Sequence, residues 1–185
     1  MNNRDWTSLL LLSPIVIAAP SSTYAVDYFN EEQAQKILFP DADSFIDHSV
    51  KLTNDQKKQI KKLSGLRQRW DKQAVWRVEK EKQLIGWFIV DNVVGKHEFI
   101  TYGTALSPDG HVIGIEIMSY RETHGDEVRQ ASWREQLKGK TLNDKFKLDK
   151  DVPNISGATL SCRNVMDGVK RLLAFQQIVL SNESL

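Results

Sequence analysis

The sequence predicts an α+β fold: an antiparallel β-sheet of about four to six strands with helices packed on it. Residues Ala74 to Tyr120 hold four segments rich in β-branched and aromatic residues, separated only by short turn-forming stretches. Strands joined by such short connections pair antiparallel. The chain then closes on a long run whose apolar residues recur at helical spacing. Residues 26–185, the part left once an apolar leader is set aside, match the ~100–200 residues of one domain.

The leader is the stretch 1–25. A short polar start carrying Arg4 precedes the apolar "SLLLLSPIVIAA" (Ser8–Ala19), and Thr23 and Ala25 offer small residues for cleavage after Ala25. The apolar run falls short of the ~20 residues of a bilayer-spanning helix and contains Pro14. This predicts a cleaved signal peptide and a periplasmic protein, with an N-terminal membrane anchor as the alternative. Next, "YFNEEQAQKIL" (Tyr28–Leu38) predicts a short helix with Phe29, Gln33, Lys36 and Ile37 at loose helical spacing, stopped by Pro40. "DADSFIDHSV" reads as a loop running into an extended piece. "NDQKKQIKKL" (Asn54–Leu63) predicts a second helix, with Ile60 and Leu63 inward and Gly65 as its stop.

The predicted strands are Ala74–Glu79, Gln83–Asp91, Glu98–Leu106 and His111–Tyr120, and "SPDG" is a hairpin turn between the last two. Asp126 to Leu137 predicts a helix between Gly125 and Gly139. In the final helix Cys162, Val165, Met166, Val169, Leu172 and Leu173 form one apolar stripe, which leaves Arg163, Asn164, Asp167, Lys170 and Arg171 to the opposite face.

Several function classes lack support. With 25 Lys and Arg against 24 Asp and Glu, the chain has no basic excess of the kind a nucleic-acid binder shows. Cys162 is the only cysteine, which excludes an internal disulfide, a Cys-rich zinc site and the c-type haem motif. His48, His97, His111 and His124 show no metal-ligand spacing, so no metal site is expected. No Ser-His-Asp order or carboxylate pair points to a hydrolase, and no catalytic residue is assigned. Trp70, Trp76, Trp87 and Trp133 are expected in the core or in the wall of a pocket. Lys57, Lys58, Lys61, Lys62, Arg67 and Arg69 form a local basic cluster, either a solvated face or a docking site for an acidic partner.

The most informative stretch is "NISGATLSCRNVMDGVKRLLAF", from Asn154 to Phe175. Four small residues, Ser156, Gly157, Ala158 and Thr159, precede a helix N-terminus. Two readings stand side by side. Ser156 or Thr159 caps the helix and Gly157 makes the turn. Alternatively, the unpaired N–H groups of the first turn bind a phosphate that Gly157 and Ala158 admit, with Ser156, Thr159 and Ser161 adding hydroxyl donors.

"SGATLS" before an amphipathic helix resembles the FMN-binding domain family, which includes the flavin subunits of the sodium-translocating NADH:quinone reductase and of the Rnf complexes. A "GW" early in the strands and a strand ending in "SYRETHGDE" extend the resemblance. It divides the chain into a signal peptide over 1–25, an N-terminal helical segment over 26–73, the FMN-binding domain over 74–178 and a tail over 179–185. It implies FMN as cofactor, joined through a phosphoester to Thr159 by a separate flavin transferase that uses FAD as donor. Ser156, Gly157, Ala158, Leu160 and Ser161 would line that site, and Glu122, Thr123 and His124 would approach the flavin ring. One position departs: Pro153 stands where the family carries Asp, with Asp151 two residues earlier. The function implied is an electron-transfer carrier between a membrane redox system and a periplasmic acceptor. Two other readings are an exported, non-redox adaptor domain and a flavin-dependent reductase of a small substrate.

Overall fold

The computed structural model describes residues 26–122 and 124–181; the leader expected over 1–25 lies outside them. Among the described residues, seven strands form the sheet. They are β1 (Val26–Asp27), β2 (Ser44–Asp47), β3 (Val50–Lys51), β4 (Lys72–Lys80), β5 (Gln83–Val94), β6 (Phe99–Leu106) and β7 (Val112–Tyr120). Their spatial order is β1-β7-β6-β5-β4-β2, with β3 also pairing β4. Every pairing is antiparallel. The central meander β4–β7 is the predicted one, with ends shifted by at most three residues. The three short strands come from the N-terminal segment, and β2 and β3 share one edge of β4.

The described residues also hold four α-helices: α1 (Glu31–Leu38), α2 (Asn54–Ser64), α3 (Ala131–Arg134) and α4 (Thr159–Phe175). Capping boxes start the first two, Asn30 with Gln33 and Thr53 with Gln56. Each pairs two otherwise orphaned N–H groups. Gly65, at φ +78°, ends α2 in the left-handed conformation that glycine adopts without strain.

Strand alternation sorts the sheet into two apolar faces. Trp87 and Ile89 of β5 and Ile100, Tyr102 and Leu106 of β6 join Ile60 of α2 and the stripe of α4 in the larger core. Phe88, Ala105, Val78 and Met118 face the other way and are covered by Ala34 and Phe39. Because both faces are covered, the central strands are buried along most of their length.

Gly168 marks the closest approach of α4 to the sheet. A Cβ there would lie 2.1 Å from Tyr102 Oη and 3.0 Å from Val93 Cγ1. Glycine to alanine in a helix ordinarily gains about 1 kcal/mol. Here Tyr102 Oη is buried and donates to Asp91 at 2.6 Å, so it has nowhere to retreat. Gly168→Ala is expected to destabilise by about 1–3 kcal/mol, the usual cost of overpacking. An unchanged or raised melting temperature would contradict that account.

Three expectations are corrected. Leu63 is 39% exposed, and Ser64 turns inward instead, bonding the Ile60 carbonyl at 2.8 Å. The buried stripe of α2 is narrow, so i+4 from Ile60 lies under cover and i+3 does not. The helix expected over Asp126–Leu137 is three short pieces: 3₁₀ turns at Asp126–Arg129 and Glu135–Leu137 on either side of α3. Gln130, with ψ 127°, breaks the helical path, and the pieces bury Val128, Trp133 and Leu137 separately. Arg171, assigned by periodicity to the solvent face, is buried.

Candidate functional site

The Ser-Gly-Ala-Thr turn leads directly into α4. Ala158 is the N-cap residue, and no side chain caps the helix. The capping reading of Ser156 and Thr159 therefore fails. The Ala158 N–H bonds the Ile155 carbonyl at 3.0 Å, and the Cys162 N–H bonds the Ala158 carbonyl at 2.9 Å. Among the described residues, no protein acceptor meets the N–H groups of Thr159, Leu160 and Ser161. These donors and the positive end of the helix dipole suit an anion.

Access to them is open. Gly157 has φ +89°, and a Cβ at that position would meet nothing within 4 Å. Ser156 and Gly157 are exposed and Thr159 is half-buried. Leu160 leaves 44% of its surface in solvent beside Thr159, an apolar surface suited to an aromatic ring. Ala158 is buried, which seats the turn against the core.

The loop after β7 is tied to this helix end. Tyr120 Oη donates to the His124 carbonyl at 2.6 Å and lies 2.9 Å from Ser161 Oγ. With its one proton committed to His124, it accepts from Ser161. Burial pushes the Tyr120 hydroxyl up to about 12, so it remains a donor throughout the neutral range. Gly125 is required here: its φ is +94°, and a Cβ would lie 2.7 Å from Tyr120 Oη and 3.0 Å from Ser161 Oγ.

The other predicted site residues take distinct places. The Ser161 hydroxyl is buried and engaged by Tyr120 rather than pointing into solvent. His124 is exposed, and Thr123 lies outside the described residues. Glu122 turns to the β5–β6 connection, accepting from the N–H groups of His97 and of Glu98, the latter at 2.9 Å. Burial works to raise its pKa, but the N–H groups of Glu98, His97 and Lys96 outweigh it and hold the carboxyl below the usual Glu range. Gly95 admits this carboxylate, since a Cβ would stand 2.6 Å from Glu122 Oε1. Asp151 is committed elsewhere, accepting from the Phe146 and Lys147 N–H groups at 2.9 and 2.6 Å and from Lys140. The Pro153 carbonyl accepts from Trp133 Nε1 at 2.9 Å, which fixes the approach to the motif. Cys162 is buried and its thiol is pushed up to about 11, a core residue without thiolate character.

The structure adds residues that sequence reasoning missed. Arg171 of α4 donates to Asp91 of β5 and to Gln68, and Tyr102 donates to the same Asp91 oxygen. Asn164 donates to the carbonyls of Val94 at 2.6 Å and Gly95 at 3.2 Å. Together these contacts fix α4 on the sheet, and with it the motif at its start. One signal was present: Asp91 closes the apolar run "QLIGWFIVD", and a carboxylate buried in such a strand needs a cationic partner.

The chain is similar to known proteins. Residues 95–174 match the family model of the FMN-binding domain. A component of the ion-translocating oxidoreductase complex of Stutzerimonas stutzeri is 28% identical over 113 residues, covering 55% of this chain and 50% of that protein. The chain thus spans about half the length of this curated relative. The crystal structure of Shewanella oneidensis NqrC aligns over 85% of this chain and 83% of its own, with a TM-score of 0.48 and 19% identity. FMN is the cofactor of the matched domain, and the site fits it. The uncapped N–H groups and the open Gly157 turn would admit a phosphate, and Leu160 offers exposed apolar surface beside them.

Proposed function

From an FMN-binding domain at residues 95–174, we propose that the chain is an exported flavoprotein carrying FMN on Thr159 and passing electrons between a membrane redox system and a periplasmic acceptor. The observation that carries this reading is the uncapped start of α4 behind an open Ser-Gly-Ala-Thr turn, inside the matched domain. FMN, when bound, supplies one- and two-electron redox chemistry. The chain's own residues hold and orient it. The Thr159 Oγ forms the phosphoester and gives up its proton; a flavin transferase supplies the flavin phosphate from FAD, with AMP leaving. The free N–H groups of α4 stabilise the phosphate charge. Gly157 keeps the approach clear, and the Tyr120–Ser161 bond holds the neighbouring loop against the helix.

A covalent link has a physical rationale outside the cytoplasm, where lost FMN is not readily replaced. Export is supported by the leader-like stretch 1–25. Among the described residues no helix is long and apolar enough to cross a membrane. The membrane partner and the electron-transfer role rest on the Stutzerimonas relative, whose name places it in an ion-translocating oxidoreductase complex.

The test is the mass of the peptide containing Thr159, from protein co-expressed with a flavin transferase and exported. The expected result is an added mass of about 438 Da, FMN less water. An unmodified peptide from a yellow protein would mean FMN held without a covalent bond. An unmodified peptide from a colourless protein would overturn the reading in favour of a non-redox domain.

A further inference from the structure

A cationic surface lies beside α4. Lys57, Lys58, Lys61, Arg67 and Arg69 line one groove of about 460 Å³ between α2 and the segment that follows it. Lys57 pairs with Asp71 at 2.6 Å. Among the described residues, Lys58, Lys61, Arg67 and Arg69 make no ion pair. In a chain with 25 basic and 24 acidic residues, this is a local concentration of one sign.

The surface is held in place. Gln68, between the two exposed arginines, is 3% exposed and bonds Arg171 of α4 and Gln73 of β4. Anchoring Gln68 fixes the backbone from which Arg67 and Arg69 project, so they present charge at reduced entropic cost. The same two arginines line a second cavity of about 170 Å³ with Asn164, Asp167 and Gly168 of α4, the helix that begins at Thr159. Next to them Trp70 and Phe99 pack at 6.1 Å between ring centroids, 37% and 44% exposed. Together with Arg121 they line a further hollow of about 300 Å³. Arg121 belongs to the loop that Tyr120 and Gly125 seat against the start of α4. Exposed aromatic residues flanked by arginines are the usual anchors of a protein interface.

We infer that this surface is the docking site for an acidic redox partner protein, whose carboxylates enter the grooves around Arg67 and Arg69 and whose apolar contact covers Trp70 and Phe99. The inference rests on the proposed function for the partner being a redox protein; the surface itself does not depend on the flavin. Concavity favours a protein with protruding carboxylates over a bilayer, because a flat anionic lipid surface reaches the rims of these grooves and not their floors. Docking here brings the partner alongside α4 rather than onto the far end of the sheet. Charge complementarity of this kind acts mainly on encounter and is weakened by salt.

The test is equilibrium binding by sedimentation, read at the haem absorbance of the probe. The probe is the acidic soluble domain of cytochrome b5, with basic mitochondrial cytochrome c as its opposite. Wild-type chain is expected to bind the acidic probe at about 20 mM salt and to lose at least about tenfold in affinity by about 300 mM. Arg67→Glu with Arg69→Glu is expected to weaken low-salt binding by about tenfold or more and to flatten the salt dependence. Trp70→Ala should weaken binding at every salt concentration. Lys80→Glu, at the opposite end of β4, should match wild type, and melting temperatures establish that all variants fold. Equal binding of both cytochromes, or an acidic probe insensitive to the two arginines, would overturn the inference. So would arginine-dependent sedimentation with vesicles of about 30% anionic lipid and no binding of the acidic probe. Flavin content is measured separately: a colourless protein that still binds the acidic probe through these arginines leaves the docking surface standing and removes the flavin reading.

Discussion

Thr159→Ala is expected to abolish covalent flavin while leaving the fold intact. Thr159 is the first residue of α4, and its hydroxyl caps nothing, because no side chain caps that helix. Among the described residues the hydroxyl has no hydrogen-bond partner, so removing it costs none of their bonds. Alanine is also a better helix former than threonine. The variant should melt within about 1 kcal/mol of wild type, as surface changes without lost contacts do. After co-expression with a flavin transferase it should show no flavin fluorescence on a denaturing gel. Thr159→Ser keeps a hydroxyl at the same Cβ and should keep some label. A labelled Thr159→Ala band would mean that another hydroxyl, Ser156 being the exposed one nearby, is the attachment point. A variant that is unlabelled and also unfolded would instead give Thr159 a structural role that its contacts do not reveal.

Arg171→Met is expected to cause the largest loss of stability of any substitution considered. Arg171 and Asp91 form an ion pair whose side chains are 6% and 0% exposed. Cutting Arg171 leaves the Asp91 carboxylate in the core with, among the described residues, only the Tyr102 hydroxyl as donor and no partner for its second oxygen. Losing one member of a buried pair costs about 3–5 kcal/mol. In a domain of this size, each kcal/mol moves the melting temperature by about 2–4 °C. Desolvation, then Asp91, push the Tyr102 hydroxyl well above its usual pKa, so it stays a donor and cannot take over the charge balance. Arg171→Met combined with Asp91→Asn should recover part of the loss, because no bare charge remains and Tyr102 keeps an acceptor. Strict additivity in that double-mutant cycle would contradict the pairing. The effect should reach the flavin site as well, because Arg171 holds α4 to Gln68 and to β5.

Much of the fold was legible in the sequence because its signals are local. The β4–β7 meander is written in β-branched runs punctuated by turn residues, and α4 in a six-residue apolar stripe, all of it buried. The two capping boxes and Gly65 set helix ends within a few residues of chain. The site was legible for a similar reason: four consecutive small residues before a helix need no tertiary information to be noticed. The alternation pattern also carried two faces for the sheet, although it did not say that α1 would cover one and α2 with α4 the other.

The misreadings share one cause. Leu63 and Arg171 were placed by periodicity and the 126–137 helix by the glycines that bound it, and both signals rank residues by their own chemistry and ignore what lies opposite. Arg171 is buried because Asp91 and Gln68, 80 and 103 residues away, arrive there. Whether the Ser-Gly-Ala-Thr turn was a cap or an open anion site was likewise undetermined in sequence, since either use needs the same residues. Orientation removed the cap: the Ser156 and Thr159 hydroxyls do not reach the first-turn N–H groups, and the Gly157 turn faces open space, which leaves the anion site as the proposal. The sequence by itself determined the elements and the place of the motif, because propensity, capping and hydrophobic period act over a few residues. Only the tertiary structure decided which charges are buried in pairs, which loops are fastened to α4 and which cations beside it make no ion pair among the described residues, because each of those depends on the approach of groups far apart in the chain.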